Sequence, residues 1–128
     1  MPVIWDKPKI VELKDIKGNF GFIDELSSIE LGAKGASMAR VMLFGPDFIH
    51  LHKKTEEGYY HLVGEGEVLL GKKIYTFGQE GARAIIIPPG TLHAARPISK
   101  LEKLVFLCVS SPAYDPKDEF RSKRGRNW

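Results

Sequence analysis

The chain has 128 residues, of which 43% are hydrophobic, and its formal net charge at pH 7 is +3. This length corresponds to one domain that is large enough to bury a core. No run approaches the roughly eighteen apolar residues that a membrane-spanning helix needs, and the amino terminus lacks a basic region followed by an apolar run. The sequence therefore predicts a cytoplasmic protein without a membrane partner.

The predicted elements are short strands separated by frequent turns. Residues 1–19 are predicted to form an amino-terminal extension or an edge strand, with residues 10–13 as its apolar part. Beyond them, glycine and proline recur at short intervals, and no long stretch has a clean helical period. We therefore predict an all-β barrel or sandwich with little or no helix. Its predicted strands are residues 37–44, 58–63, 67–70, 73–77, 84–87 and 103–110.

Two histidines lie two residues apart, at His50 and His52. In an extended strand, alternate side chains point to the same face, and these two would be about 6 to 7 Å apart along the chain. Two imidazoles on one face of a strand can hold one metal ion together. A single histidine in a domain of this size is more often a surface or core residue, so the prediction depends on the spacing.

Two further candidate ligands come from separate segments. Glu57 begins the next apolar run, with Glu56 as the rival carboxylate, and His93 follows the Pro88-Pro89-Gly90 turn. Strand pairing could bring both to the two histidines. Three imidazoles and one carboxylate suit Mn, Fe, Ni, Cu or Zn better than Ca or Mg. The sequence therefore predicts a transition-metal site made by His50, His52, Glu57 and His93.

Strand alternation also selects candidate catalytic residues. Glu57, Tyr59, His61 and Val63 share one face of a strand if no bulge intervenes. Tyr59 or His61 could therefore move protons beside a bound substrate, and the ordinary pKa of histidine suits that role. The alternative for His61 is a buried neutral imidazole bonded to a neighbour. Weaker candidates for the cavity mouth are Arg40, Arg83, Arg96, Tyr60, Tyr75 and Gln79.

Two other features receive simple interpretations. Cys108 lies in an apolar run without a partner cysteine, which indicates a buried small side chain rather than a nucleophile. Residues 113–128 form a polar, basic tail, and the segment from Lys117 carries five basic and two acidic residues. Because this segment accounts for the whole net charge, the rest of the chain has no basic stripe for nucleic acid. We predict that the tail is solvated and mobile.

The motif around the histidines resembles a known family. The pattern His-x-His-x4-Glu-x6-Gly, from His50 to Gly64, and the pattern Pro-x-Gly-x2-His, from Pro88 to His93, resemble the two signature motifs of the cupin superfamily. The chain departs from the family pattern in two loop lengths and in Pro97, which replaces a common Asn. The resemblance favours Glu57 over Glu56 and implies a small double-stranded β-helix, or jelly-roll barrel, over residues 20–112.

The resemblance also implies a range of functions. It suggests one divalent ion (Mn, Fe, Ni or Zn), a small-molecule partner and a homodimer. A metal-dependent enzyme acting on a small oxygenated substrate is the first hypothesis, by sugar-like isomerisation or epimerisation or by Fe-dependent oxygenation. The alternative is a non-catalytic module that binds a sugar or a carboxylate, and a metal-storage protein is the third hypothesis.

Overall fold

A computed structural model describes residues 14–18, 21–26 and 36–128 of the chain. The described residues form β-strands joined by turns, with one short 3-10 turn at Pro116–Asp118. None of their helices is long and apolar enough to cross a membrane. The strands are β1 (Lys14–Gly18), β2 (Gly21–Leu26), β3 (Ser37–Leu43), β4 (His50–His52), β5 (Glu56–Val63), β6 (Gly66–Leu70), β7 (Lys73–Phe77), β8 (Ala84–Ile87), β9 (His93–Pro97), β10 (Leu104–Ser111) and β11 (Glu119–Arg121).

These strands make two antiparallel sheets. One sheet has the order β1-β2-β3-β10-β5-β8, and the other has the order β11-β4-β9-β6-β7. Both sheets contribute to one apolar core, because Tyr59, Phe106 and Ile87 of the first sheet are buried with Val68 and Phe77 of the second. The predicted all-β, jelly-roll fold is thus confirmed.

The core depends on strand alternation, and one bulge interrupts it. Along β5, Glu57, Tyr59 and His61 are buried, whereas Val63 is 48% exposed. The register explains the difference, because Phe106 of β10 pairs with His61 while Val105 pairs with Val63, so that Leu62 is an extra residue on β5. The predicted shared face therefore ends at His61.

Only part of the predicted amino-terminal extension lies within the described residues. β1 lies at the edge of the six-stranded sheet, next to β2. Residues 10–13, which were predicted as the apolar part of the extension, lie outside the described residues. The predicted homodimer and the cytoplasmic location also stay predictions.

The carboxyl-terminal segment, which was predicted to be a solvated and mobile tail, pairs in part with the five-stranded sheet, and its mobility stays a prediction. β11 pairs with β4, and the backbone of Ile49 bonds to Ser122 and Gly125 at 2.8 Å each. Trp128 packs against a buried cluster that includes Ile49, and its Nε1 donates to the carbonyl oxygen of Asp47 at 3.2 Å. The basic composition of the segment did not predict this packing. The cluster against which Trp128 packs consists of Ile49, Leu69 and Ala94, which are distant from it in sequence.

Candidate metal centre

Three histidines meet where β4 pairs with β9. His50 lies directly opposite His93 in this pairing, and His52 follows two residues later on β4. His50 and His52 are buried, and the intervening Leu51 is only half-buried, as strand alternation requires. The ring centroids of His50 and His93 are 4.3 Å apart, and those of His52 and His93 are 5.6 Å apart. Adjacent strands of one sheet therefore gather all three imidazoles.

The carboxylate comes from the opposite sheet. Glu57 pairs with Ser110 and Ile87 in the six-stranded sheet and is 5% exposed, whereas its neighbour Glu56 is exposed on the other face. The alternation of β5 thus selects Glu57 over Glu56. The ligating atoms of His50, His52, Glu57 and His93 all lie within 4.8 Å of one another, and this group could hold a metal ion.

The outer ring nitrogens show which atoms face the centre. The Nδ1 atom of His50 donates to the carbonyl of Phe48 at 2.7 Å, and the Nδ1 atom of His93 donates to the carbonyl of Thr91 at 2.9 Å. A carbonyl oxygen can only accept, so both Nδ1 atoms carry the proton. In each neutral ring, Nε2 is therefore left with the lone pair that a metal ion needs.

The contacts inside the group fit a bound cation. The Nε2 atoms of His93 and His52 lie 2.7 Å and 3.1 Å from the same oxygen, Oε1 of Glu57. With Nδ1 of His93 already donating, a neutral His93 would turn a lone pair toward a carboxylate oxygen. Such a contact needs a further proton or a cation between the atoms. The buried Nδ1 of His52 has no hydrogen-bond partner among the described residues.

Electrostatics favour the forms of two residues that bind metals. Burial opposes ionisation of Glu57, but hydrogen bonds with His52 and His93 outweigh it and hold the pKa of this carboxyl well below its usual range. Burial, together with the charge of His93, lowers the pKa of His50 to about 4. An ionised carboxylate and a neutral imidazole are the ligand forms of these side chains.

Two other residues at the site, His52 and Asp47, have raised pKa values, which favour their protonated forms. Burial lowers the pKa of His52, but Glu57 raises it by more, so the result is a pKa above the usual value. Burial raises the pKa of Asp47 to about 7, even though the backbone N–H of Phe48 donates to its carboxylate. In the absence of an ion, a proton on His52 is therefore favoured by the negative charge of Glu57.

Cys108 has a polar contact that the sequence did not reveal. The residue is buried, as predicted, but its Sγ atom also donates to Oε2 of Glu57 at 3.1 Å. Burial and the neighbouring Glu57 raise the pKa of the thiol well above its usual value, so it stays protonated and remains a donor. Strand pairing produces this contact, because Cys108 lies opposite Tyr59 and two residues from Ser110, which is the partner of Glu57. Cys108 and Glu57 therefore lie on the same face of the sheet.

The two predicted catalytic residues occupy different places. Tyr59 is buried beside the ligand group, with its ring centroid 6.0 Å from that of His93 and 4.5 Å from that of Phe106. His61 lies further along β5, where its ring packs at 5.7 Å from Phe77 and its Nε2 atom bonds to the carbonyl of Gly64 at 2.5 Å. The structure thus brings Tyr59 close to the four ligands and turns His61 toward a hairpin.

The weaker candidates for the cavity mouth have other surroundings. Arg96 pairs with Glu67 at 2.9 Å and stacks on Trp128, and Arg83 donates to Gln79 at 3.2 Å. The remaining three, Arg40, Tyr60 and Tyr75, are exposed. None of the six belongs to the described metal-ligand group.

Two charged residues near the ligands were missed. In the pairing of β11 with β4, Glu119 lies opposite His52 and Arg121 lies opposite His50. Residues directly opposite in an antiparallel pair project to the same face, so both belong to the face that carries the histidines. The Arg121 guanidinium also stacks at 4.2 Å over the ring of Phe48. One sequence pattern could have predicted β11: the turn residues Asp115-Pro116 are followed by the alternating polar and apolar residues Glu119–Arg121.

Comparisons with known proteins support the fold. No protein-family model and no curated protein matches the chain. Among solved structures, it is similar to Pac13, a nucleoside dehydratase, with a TM-score of 0.73 and 18% identity over 91% of each chain. A Streptomyces PAC13 variant with uridine gives the same TM-score at 17% identity over 92% of each chain.

A second group of similar structures consists of oxalate decarboxylases. The Lactobacillus farciminis enzyme in complex with formate has a TM-score of 0.70 and 25% identity, over 85% of this chain and 33% of that enzyme. The Bacillus subtilis enzyme, which has Mn(II) centres, has a TM-score of 0.68 and 20% identity, over 80% of this chain and 29% of that enzyme. The chain thus spans about a third of the length of these decarboxylases.

Proposed function

We propose that this chain, which has the cupin fold, binds one divalent transition ion and acts on a small oxygenated molecule beside it. The ligands would be the Nε2 atoms of His50, His52 and His93 together with the carboxylate of Glu57. The observation that carries the proposal is the convergence of three buried imidazoles and one buried carboxylate, whose ligating atoms lie within 4.8 Å of one another, with two of the imidazoles in contact with the same carboxylate oxygen.

The donor set narrows the identity of the ion. Imidazole nitrogen suits Mn, Fe, Ni and Zn, whereas Ca and Mg prefer sites made of oxygen atoms alone. Four protein ligands leave open positions on a six-coordinate ion, unlike a closed structural site. A bound ion of this kind supplies Lewis acidity toward an oxygen atom of the substrate.

The residues of the chain perform the remaining tasks. The carbonyl groups of Phe48 and Thr91 fix the tautomer and orientation of His50 and His93, and the Cys108 thiol holds the second oxygen of Glu57. Tyr59 forms part of the buried wall beside His93. Arg121 and Glu119 give this face of the sheet a cationic and an anionic group that a polar substrate can contact.

For the reaction, we propose isomerisation or epimerisation of a sugar-like molecule, or oxygenation if the ion is Fe(II). The likeness to a nucleoside dehydratase and to oxalate decarboxylases supports a small substrate that is rich in oxygen. The competing class is a cupin module that binds a sugar or a carboxylate without turnover.

Metal analysis of protein purified without added metal tests the proposal. We expect about one transition ion per chain, because the four ligands belong to one group. Fe with substrate-dependent oxygen uptake would support oxygenation, and Mn, Ni or Zn without oxygen uptake would support isomerisation. A ligand that binds without turnover would support the binding module. Failure to bind every transition ion offered would refute the metal site.

The role of His61 in proton transfer stays a prediction, and a His61→Ala variant tests it. Because His61 bonds to Gly64 and packs on Phe77, we expect the substitution mainly to affect stability. The half-buried carbonyl of Gly64 loses its donor, which should cost about 1 kcal/mol in the free energy of unfolding. Metal content should be unchanged. A turnover loss of about 100-fold or more at full metal content would instead make His61 an acid-base group.

A further inference from the structure

We infer that Asp118 is a positioning residue of the metal centre, whose carboxylate fixes the backbone between β4 and β5 and so sets His52 against Glu57. The inference rests on the proposed metal binding, and it assigns part of that function to the carboxyl-terminal segment. Asp118 does not belong to the ligand group. It acts through the turn at residues 53–55, which joins His52 directly to β5.

The contacts of Asp118 are directed at that turn. Its Oδ1 atom accepts the backbone N–H of Lys53 at 3.1 Å, and its Oδ2 atom accepts those of Lys54 and Thr55 at 3.1 Å and 3.2 Å. The side chain is 7% exposed, although an isolated aspartate normally stays in water. Three hydrogen bonds from consecutive backbone donors to one carboxylate are charge-assisted and define the path of the turn.

Asp118 is itself held in place from both sides. Its backbone N–H donates to the carbonyl of Asp115 at 2.9 Å, and the Asp115 side chain accepts the N–H of Lys117 at 2.9 Å. The next residue, Glu119, begins β11 and pairs with His52. The carboxylate is therefore fixed relative to the strand that carries the ligand.

His52 is the ligand that most needs this support. The Nδ1 atoms of His50 and His93 are anchored by carbonyl groups within two residues, but the buried Nδ1 of His52 has no such partner in the part of the chain that the structure describes. Apart from the contacts of the ring with Glu57 and Tyr114, the orientation of His52 therefore depends on its backbone. That backbone is bonded on one side through the N–H of Gly90, which donates to the His52 carbonyl at 2.6 Å, and on the other side through Asp118.

An Asp118→Asn variant tests the inference in the full chain. The amide keeps the shape of the side chain but replaces one acceptor oxygen with a donor group, so it cannot accept all three N–H groups. We expect Co²⁺ to bind about 10-fold more weakly, which is the scale of losing an outer partner of a metal site. The visible d–d spectrum of the Co²⁺ protein should also change. Glu102→Gln is the control for the loss of one negative charge, because Glu102 is exposed and lies outside the ligand group, and it should leave both readouts unchanged.

A second readout does not need the metal. In metal-free Asp118→Asn protein, amide exchange at Lys54 and Thr55 should become faster, and the NMR signals of the His52 ring should shift more than those of His50. Unchanged Co²⁺ affinity and unchanged amide exchange would overturn the inference, even if the melting temperature falls. If the unmodified protein binds no ion, the proposed function fails, and the exchange data alone decide the role of Asp118.

Discussion

A His93→Ala variant is expected to lose its metal ion. His93 is 1% exposed, its Nε2 atom lies 2.7 Å from the Glu57 carboxylate, and its removal leaves three of the four candidate ligands. Changing only an outer partner of a metal site typically weakens binding about 10- to 100-fold. Loss of a ligand should therefore weaken it by more than about 100-fold. Metal content after gel filtration should fall from about one ion per chain to nearly none.

Thermal unfolding provides a second measurement of the same change. An ion present at about 100 times its dissociation constant stabilises the folded protein by about 3 kcal/mol. The unmodified protein should therefore melt at a higher temperature with the ion than after chelation, whereas His93→Ala should melt at the same temperature in both conditions. His61→Ala is the control, because it also removes a buried histidine but lies outside the ligand group. Full metal content in His93→Ala would show that the ligand set is wrong.

The candidate ligands could be predicted from residue spacing within a strand and from the family motifs. The spacing of His50 and His52 gives a shared face in any extended strand, and the resemblance selected Glu57 and His93. The structure adds the pairing of His50 with His93 and the contact of Glu57 with Cys108. Both additions depend on which strands become neighbours, and no local pattern contains that information.

The carboxyl-terminal segment shows what sequence reasoning could not supply. Its basic composition predicted a solvated tail, but Asp118 is buried against the turn after β4, and Trp128 packs near Ile49. Asp118 and its partner Lys53, like Trp128 and its partner Asp47, are more than sixty residues apart in sequence. Only the folded topology, in which β11 lies beside β4 at the edge of the five-stranded sheet, brings this segment next to the candidate ligands.

The glycine that ends the first motif illustrates a second limit of prediction from sequence, which is that a motif does not give the structural reason for its residues. The motif identified Gly64, but the pattern did not explain why glycine is needed at this position. In the structure its φ is +82°, and a Cβ atom would overlap the carbonyl oxygen of Lys103. The constraint therefore combines a left-handed backbone with close contact to the segment that leads into β10.

A Gly64→Ala variant should accordingly be strongly destabilised. An alanine in the left-handed region costs about 1 to 2 kcal/mol, and the overlap with Lys103 adds a displacement of backbone that precedes the buried Leu104. The carbonyl of Gly64 also accepts from His61 and would shift with it. We expect a total loss of about 3 kcal/mol or more in the free energy of unfolding, measured by urea denaturation.

Gly71→Ala is the matched control for this prediction. Gly71 also has a positive φ, +63°, but a Cβ atom there would meet no atom within 4 Å. Its substitution should therefore cost only the backbone strain, about 1 to 2 kcal/mol. The difference between the two variants measures the close approach of the turn to Lys103. Equal losses would mean that backbone conformation alone requires glycine at the end of the motif, and that the contact with Lys103 contributes nothing.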